Sequence, residues 1–210
     1  PYLAAELDQQ AAAIRAAHGG RRLVFAVGRH VYYKGLEHLI RAAGAITGAD
    51  EIIVIGSQAI LGAFPQAPAT LLRSCEADVF TLRDPKDADL IDGSIGEGSP
   101  FHETFGYYAQ GVWIDTAVLP DGWIHRCIEI RNDNTRQVTA RCLDPHDLAV
   151  SKLVAGREKD LEFLTEMIRN HLLDEETILQ RIKQLPDSEV DEAPLLERWQ
   201  RIQNFALQPR

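Results

Sequence analysis

Long apolar runs are missing from this chain. No stretch approaches the roughly 20 consecutive apolar residues that a membrane-spanning helix requires, so no membrane partner is expected. Cysteine is scarce: Cys75, Cys127 and Cys142 are too few and too scattered for a disulfide scaffold, and a reducing cytoplasm is the expected location. Positive charge is short as well. With 22 Lys and Arg against 31 Asp and Glu, the net charge is −9, which opposes whole-surface attraction to nucleic acid while leaving room for a local basic groove. The first residues, Pro1-Tyr2-Leu3-Ala4-Ala5-Glu6, lack the basic flank and apolar core of a signal peptide. The missing initiator Met suggests a start inside a longer reading frame or after processing. No internal repeat is visible. What is present, 45% hydrophobic and 25% charged residues over 210 positions, fits one soluble globular domain with or without an appendage.

Apolar periodicity gives an order of elements. Residues 3–17 are Ala-rich and read as a helix closed by Gly19-Gly20. The run 23–27 reads as a buried strand ending at Gly28. Residues 35–45 form an amphipathic helix with Leu36, Leu39, Ile40 and Ala43 on one stripe. A second strand, 51–55, stops at Gly56-Ser57 and leads into a short helix at 58–64. Residues 77–82 carry β-formers and end in the polar segment 83–89. Residues 92–111 are glycine-rich and read as loop, with a short helix at 102–110. Two runs, 123–131 and 137–143, form a hairpin that turns at Asn132-Asp133-Asn134. Asp144 is the expected N-cap of a helix with Pro145 at its first position. Helices at 151–170 and 175–185 follow, then an acidic linker at 186–194 and a last helix.

Three elements stand in an order that carries chemistry: the strand-to-turn Ile55-Gly56-Ser57, the sequence Glu76-Ala77-Asp78 at a strand start, and the helix with Lys152, Arg157 and Asp160. Backbone N–H groups at a glycine turn can cradle phosphates, and the Ser57 hydroxyl would add a donor. Residues i and i+2 of a strand share a face, so Glu76 and Asp78 present two carboxylates together. Such a pair repels itself unless a cation sits between, and Mg²⁺ is the usual one beside phosphates. The Lys152 ammonium could steady a triphosphate as charge moves onto the leaving pyrophosphate. Each feature also has a plainer reading: an ordinary βα turn, a solvated strand face, and surface ion pairs along a helix.

The stretches 52–61, 73–80 and 147–160 resemble bacterial nucleotidyltransferase-like proteins of unknown function, similar to the AbiEii toxin group and the minimal nucleotidyltransferases. The resemblance covers residues 36–185. In that superfamily a Gly-Ser turn precedes a strand with an acid-x-Asp pair, and a later helix carries Lys with a downstream Asp. The resemblance therefore implies that Gly56 and Ser57 bind phosphate, Glu76 and Asp78 bind Mg²⁺, Lys152 touches the nucleotide, and Asp160 is the helical acid of the nucleotide site. It implies transfer of a nucleoside monophosphate from an NTP to an RNA or protein acceptor, a toxin-like role, and an antitoxin or a second copy as partner. Glu76 stands where Asp is usual, and the gap from Ser57 is long. The one candidate for a third strand carboxylate is Glu129, which with Asp78 is a candidate for activating the acceptor hydroxyl. The expected fold is α/β (α+β), a nucleotidyltransferase-like mixed sheet with a helical C-terminal half.

Other readings compete. Residues 24–42 resemble the donor-lobe segment of two-lobed retaining glycosyltransferases, in which residues matching Arg29 and Lys34 hold a sugar nucleotide's diphosphate. Glu103-Thr104-Phe105-Gly106 imitates that family's acidic motif, but Gly111 stands where its second acid belongs. This divides the chain into an N-terminal glycosyltransferase-like fragment (1–44), a nucleotidyltransferase-like domain (45–186) and an acidic linker with a C-terminal helix (187–210). His125-x-Cys127 and Cys142-x₃-His146 could surround Zn²⁺, although both cysteines read equally as small buried hydrophobes. Trp113 and Trp123 read as packing anchors of the glycine-rich loop. A catalytically inactive binding or antitoxin-like module is the non-enzymatic alternative.

Overall fold

A five-stranded mixed sheet orders the molecule. The computed structural model describes residues 32–186 and 190–208; the chain divides at His30/Val31, and every described residue belongs to the second unit. The helix and strand expected at 3–17 and 23–27, and the glycosyltransferase-like segment with Arg29 and the Lys34 side chain, lie outside what is described. Among the described residues no helix is long and apolar enough to cross a membrane.

Helix α1, Tyr32–Thr47, leads into strand β1, Glu51–Ile55, and after a 3₁₀ turn at Ser57–Ala59 into a short α2, Ile60–Ala63. Strand β2 is Glu76–Phe80, and helices α3, Asp87–Ile95, and α4, Pro100–Phe105, precede strand β3, Tyr108–Gly111. Strands β4, Ile128–Ile130, and β5, Thr139–Cys142, then lead to four helices: α5, Pro145–Ala155; α6, Glu158–Arg169; α7, Glu175–Ile182; and α8, Glu192–Ala206. The strand order is β3-β2-β1-β5-β4. The outer pairs differ in sense, β2–β3 being parallel and β4–β5 antiparallel, while central β1 runs antiparallel to β2 and parallel to β5. β1 sits in the middle because Ile52, Ile53, Val54 and Ile55 are buried on both faces, the pattern of an interior strand.

The stripe Leu36, Leu39, Ile40 and Ala43 of α1 is buried in the same core as β1, each large side chain contributing roughly 1.5–3 kcal/mol of burial. α1 continues through residues 44 and 45 to Thr47, so the domain boundary expected there falls inside one helix. The C-terminal helix expected after the acidic linker is α8, which buries Leu195, Trp199 and Ile202 in that core. The anticipated hairpin exists as β4–β5, shortened because Trp123–Arg126 winds into a 3₁₀ turn. Its turn is pinned by buried Glu37, which accepts from the side-chain amides of Asn132 (2.6 Å) and Asn134 (2.9 Å).

Two corrections fall in the middle of the chain. α3 runs from the end of the segment read as polar into the start of the one read as loop, with Ala88, Ile91 and Ile95 buried at helical spacing. The loop segment also holds the edge strand β3, where the expected helix at 102–110 gives way after Phe105. Trp113 is not a packing anchor: it is 52% exposed. Further on, Asp144 caps α5 as expected, accepting from the backbone N–H of His146 at 2.9 Å with Pro145 at the first position. α5 is buried along most of its length. Its Asp147, fully buried, receives a bidentate Arg126 (2.8 and 3.0 Å) and Arg181 (3.1 Å), which a charge in that position requires.

Candidate active site

The helix expected at 151–170 is two helices. Gly156 adopts φ +61 and caps α5, a left-handed conformation that glycine takes without steric cost. The consequence for the site is large. On one continuous helix Lys152 and Asp160 would be about 12 Å apart along the axis. The turn instead folds the start of α6 back so that Lys152 Nζ donates to Asp160 Oδ1 at 3.1 Å. Arg157 donates to the same carboxylate through Nε at 2.6 Å. Asp160 is fully buried; burial acts to raise its pKa, but the Arg157 bond and the Lys152 charge outweigh it and hold the carboxyl below its ordinary value. Lys152 is pulled below the usual lysine value by burial, against the opposing effect of Asp160, and its ammonium lies 4.6 Å from the centre of the Phe163 ring.

Across from this corner stands β2. Strand alternation puts Glu76 and Asp78 on one face, and Asp78 is paired in register with Ile55, the residue before the glycine turn. Gly56 has φ +65, and a Cβ there would collide with Asp78 Oδ2. Only glycine allows the turn to lie directly against that carboxylate. The turn is tied to the β2 approach by Gln58, whose Nε2 donates to the Ser74 carbonyl at 2.7 Å, while Ser74 Oγ accepts from the Glu76 N–H at 3.1 Å. Tyr108, from the neighbouring strand β3, donates its hydroxyl to Glu76 Oε2 at 3.1 Å. Burial, then the Glu76 charge, push its phenol up to about 12.

Asp78 shows the strain of this arrangement. Burial is the main cause that raises its pKa, and a hydrogen bond to Glu76 and that residue's charge add to it. Lys152 and Lys159 oppose the rise, yet the carboxyl is pushed up to about 7. Two neighbouring carboxyls disfavour each other's charge, and a cation placed between them would relieve that repulsion. The pair fits a divalent cation of the Mg²⁺ type, which binds through one or two carboxylates and takes its remaining ligands from phosphates and water. Among the described residues no group of three or more His, Cys, Asp or Glu side chains could hold a metal.

Gly56, Ser57, Glu76, Asp78 and Lys152 all line one cleft of about 320 Å³. Five of the residues singled out by sequence are thus brought together. Two are not. Asp160 does not line the cleft; it is buried behind Lys152 and Arg157, because its oxygens are used in holding those two side chains. Glu129 shares the face of Asp78 but sits on β4, at the far edge of the sheet, about 14 Å away at the usual strand spacing. There it pairs with Arg141 at 3.0 Å, which also binds Glu51 at 2.6 Å. Sequence reasoning missed Thr70, Arg73 and Lys159, which line the same cleft together with Arg157. Arg73 lies three residues before Glu76, and its position next to an acid pair was the one signal for it. The zinc reading loses its geometry: among the described residues no three His, Cys, Asp or Glu side chains come together to hold a metal, and both ring nitrogens of His146 are already engaged, by Asp144 Oδ1 at 3.2 Å and the Asp174 N–H at 3.1 Å.

The family comparison falls on the same region. A family model described as "Nucleotidyltransferase of unknown function (DUF6036)" matches residues 34–204, from the first helix of the sheet domain to the last. No curated protein and no solved structure matches the chain.

Proposed function

Since the chain belongs to the DUF6036 family of nucleotidyltransferases, we propose that its cleft moves a nucleoside monophosphate from an NTP to a hydroxyl of an RNA or protein acceptor. The observation that carries this reading is the pair of touching carboxyls, Glu76 and Asp78, against the Gly56 turn with Lys152 opposite. In this assignment the amides of the Gly56 turn and the Ser57 hydroxyl hold phosphate oxygens. Glu76 and Asp78 hold Mg²⁺, which supplies charge neutralisation at the phosphates when bound. Lys152, fixed by Asp160 and Phe163, faces the phosphates as a rigid cation and stabilises charge that grows on the leaving group. Arg157 and Lys159 add positive charge at the rim.

The acceptor oxygen forms a bond to the α-phosphorus while the bond from that phosphorus to the αβ-bridging oxygen breaks. Pyrophosphate departs with the electron pair, and the acceptor's proton passes to the Asp78 carboxylate. Glu129 has no part in this, given its distance from β2.

The test is incubation of the protein with each α-labelled NTP, Mg²⁺ and a cell extract. Label should enter a macromolecule with wild type and be lost with Asp78→Asn. Equal labelling by both proteins sinks the carboxylate assignment. Tight NTP binding without labelling of any acceptor identifies a binding module instead.

A further inference from the structure

A second cavity, about 680 Å³, opens between α6 and α8 and shares Arg73, Glu162 and Glu166 with the nucleotide cleft. Whatever occupies it therefore reaches the wall of the site where transfer is proposed. Helical periodicity builds its lining. Arg198, Arg201, Ile202 and Phe205 lie at i, i+3, i+4 and i+7 on α8, so one stripe of that helix faces the groove. Arg169 comes from the end of α6.

The groove departs from the rest of the molecule in charge. In a chain of net charge −9, its walls carry four arginines against three glutamates, with Arg73 paired to Glu162 at 3.3 Å and Arg169 to Glu166 at 3.1 Å. Arg198 bonds to the carbonyls of Leu153 and Val154 at the end of α5, so its charge is held in place by main-chain oxygens and not by a carboxylate. Phe205 is 59% exposed although it sits in a helix that buries Trp199 and Ile202. Its ring is covered on one side by the Arg169 guanidinium, 5.5 Å from the centroid. An exposed aromatic face beside fixed guanidinium groups is the arrangement that stacks a base and tracks a phosphate backbone.

We propose that this groove binds a single-stranded polynucleotide and leads its acceptor end into the nucleotide cleft. A base stacks on Phe205, and Arg201 and Arg73 follow the backbone toward Lys152. The assignment of this strand as acceptor rests on the nucleotidyl-transfer reading of the neighbouring cleft; the binding itself does not. Compared with a protein acceptor, a polynucleotide makes use of both features on this surface, the aromatic face and the arginine row.

The test uses the full chain, labelled oligouridylate and its deoxyribose counterpart, and fluorescence anisotropy at several salt concentrations, with a fluorescent NTP analogue measured in parallel. Wild type should bind, and preference between the two strands identifies the sugar. Phe205→Ala should weaken binding about tenfold, and Phe205→Trp should retain it. Arg201→Gln should weaken binding and lower the slope of log K against log salt by about 0.7 for the lost phosphate contact. The NTP analogue should bind all three variants as it binds wild type, which also shows that they are folded. Failure of wild type to bind either strand, or unchanged affinity in both Phe205→Ala and Arg201→Gln, overturns the proposal. NTP binding that persists in that case leaves the cleft assignment standing. Phe205-dependent strand binding without NTP binding keeps the groove and removes the cleft reading.

Discussion

Two aspartates belong to the candidate site, Asp78 lining the cleft and Asp160 buried behind Lys152 and Arg157, and their environments are opposite. Asp160, fully buried in the corner between α5 and α6, is compensated from within by Lys152 and Arg157. Asp78, on the β2 wall, is driven up to about 7 by burial and by the Glu76 carboxyl beside it. A buried carboxylate that already has its cations is scaffold, and here it fixes the direction of Lys152. A carboxylate pair left without one is a site that gains from an external cation. The same residue type thus serves two purposes, and the difference lies in which side chains the fold brings within reach.

Removal of each carboxylate separates these roles most strongly. Asp78→Asn should lower NMP transfer on the order of 10³-fold, about 4 kcal/mol of barrier, with the fold intact by circular dichroism; a loss under tenfold would erase the distinction. Asp160→Ala should instead unfold the corner. It leaves Lys152 buried without its acceptor, which costs about 3–5 kcal/mol, measurable as a fall in the urea midpoint. Gly56→Ala comes next. Alanine held at φ 65 and ψ −170 costs about 1–3 kcal/mol, and the added methyl displaces Asp78, so both Tm and transfer should fall, transfer more than stability would explain.

The two aspartates should also give opposite pH slopes. Asp78 has a raised pKa in the folded chain, so the native state binds its proton more tightly than the unfolded state. Metal-free stability from this group falls as pH rises from about 4 to about 7. Asp160 has a lowered pKa, so its contribution is present above the ordinary carboxylate value and is lost as pH falls below it. Asp78→Asn should remove the first slope and raise the metal-free Tm at pH 8, by about 2–4 °C for each kcal/mol of repulsion relieved. Added Mg²⁺ should raise Tm in wild type more than in that variant. Equal Mg²⁺ responses would show that the cation binds elsewhere. Glu129→Gln, at the exposed edge of the sheet, should change stability by no more than about 0.5 kcal/mol and leave transfer at the wild-type rate. A large loss of activity there would return Glu129 to the mechanism.

Local chemistry made much of the site legible. Glu76 and Asp78 had to share a face because strand side chains alternate, and Gly56 announced a turn after an apolar run. Asp144 and Pro145 announced a helix start, and the α1 stripe followed from helical spacing. β3 escaped because Tyr108 to Gly111 lies among glycines and becomes a strand through pairing with β2, distant in sequence. α3 escaped because a polar entry hid its short apolar stripe.

The sequence by itself determined the apolar stripes, the caps, the carboxylate spacing and the family, all of which depend on residues near one another along the chain. Tertiary structure alone decided which charges meet. The Gly156 turn brought Asp160 behind Lys152, strand order carried Glu129 away from Asp78, and the docking of α8 beside α6 opened an arginine-lined groove next to the cleft. Electrostatic partnership acts through space over a few ångströms, and the order of residues in the chain does not contain those distances until the sheet and helices have packed.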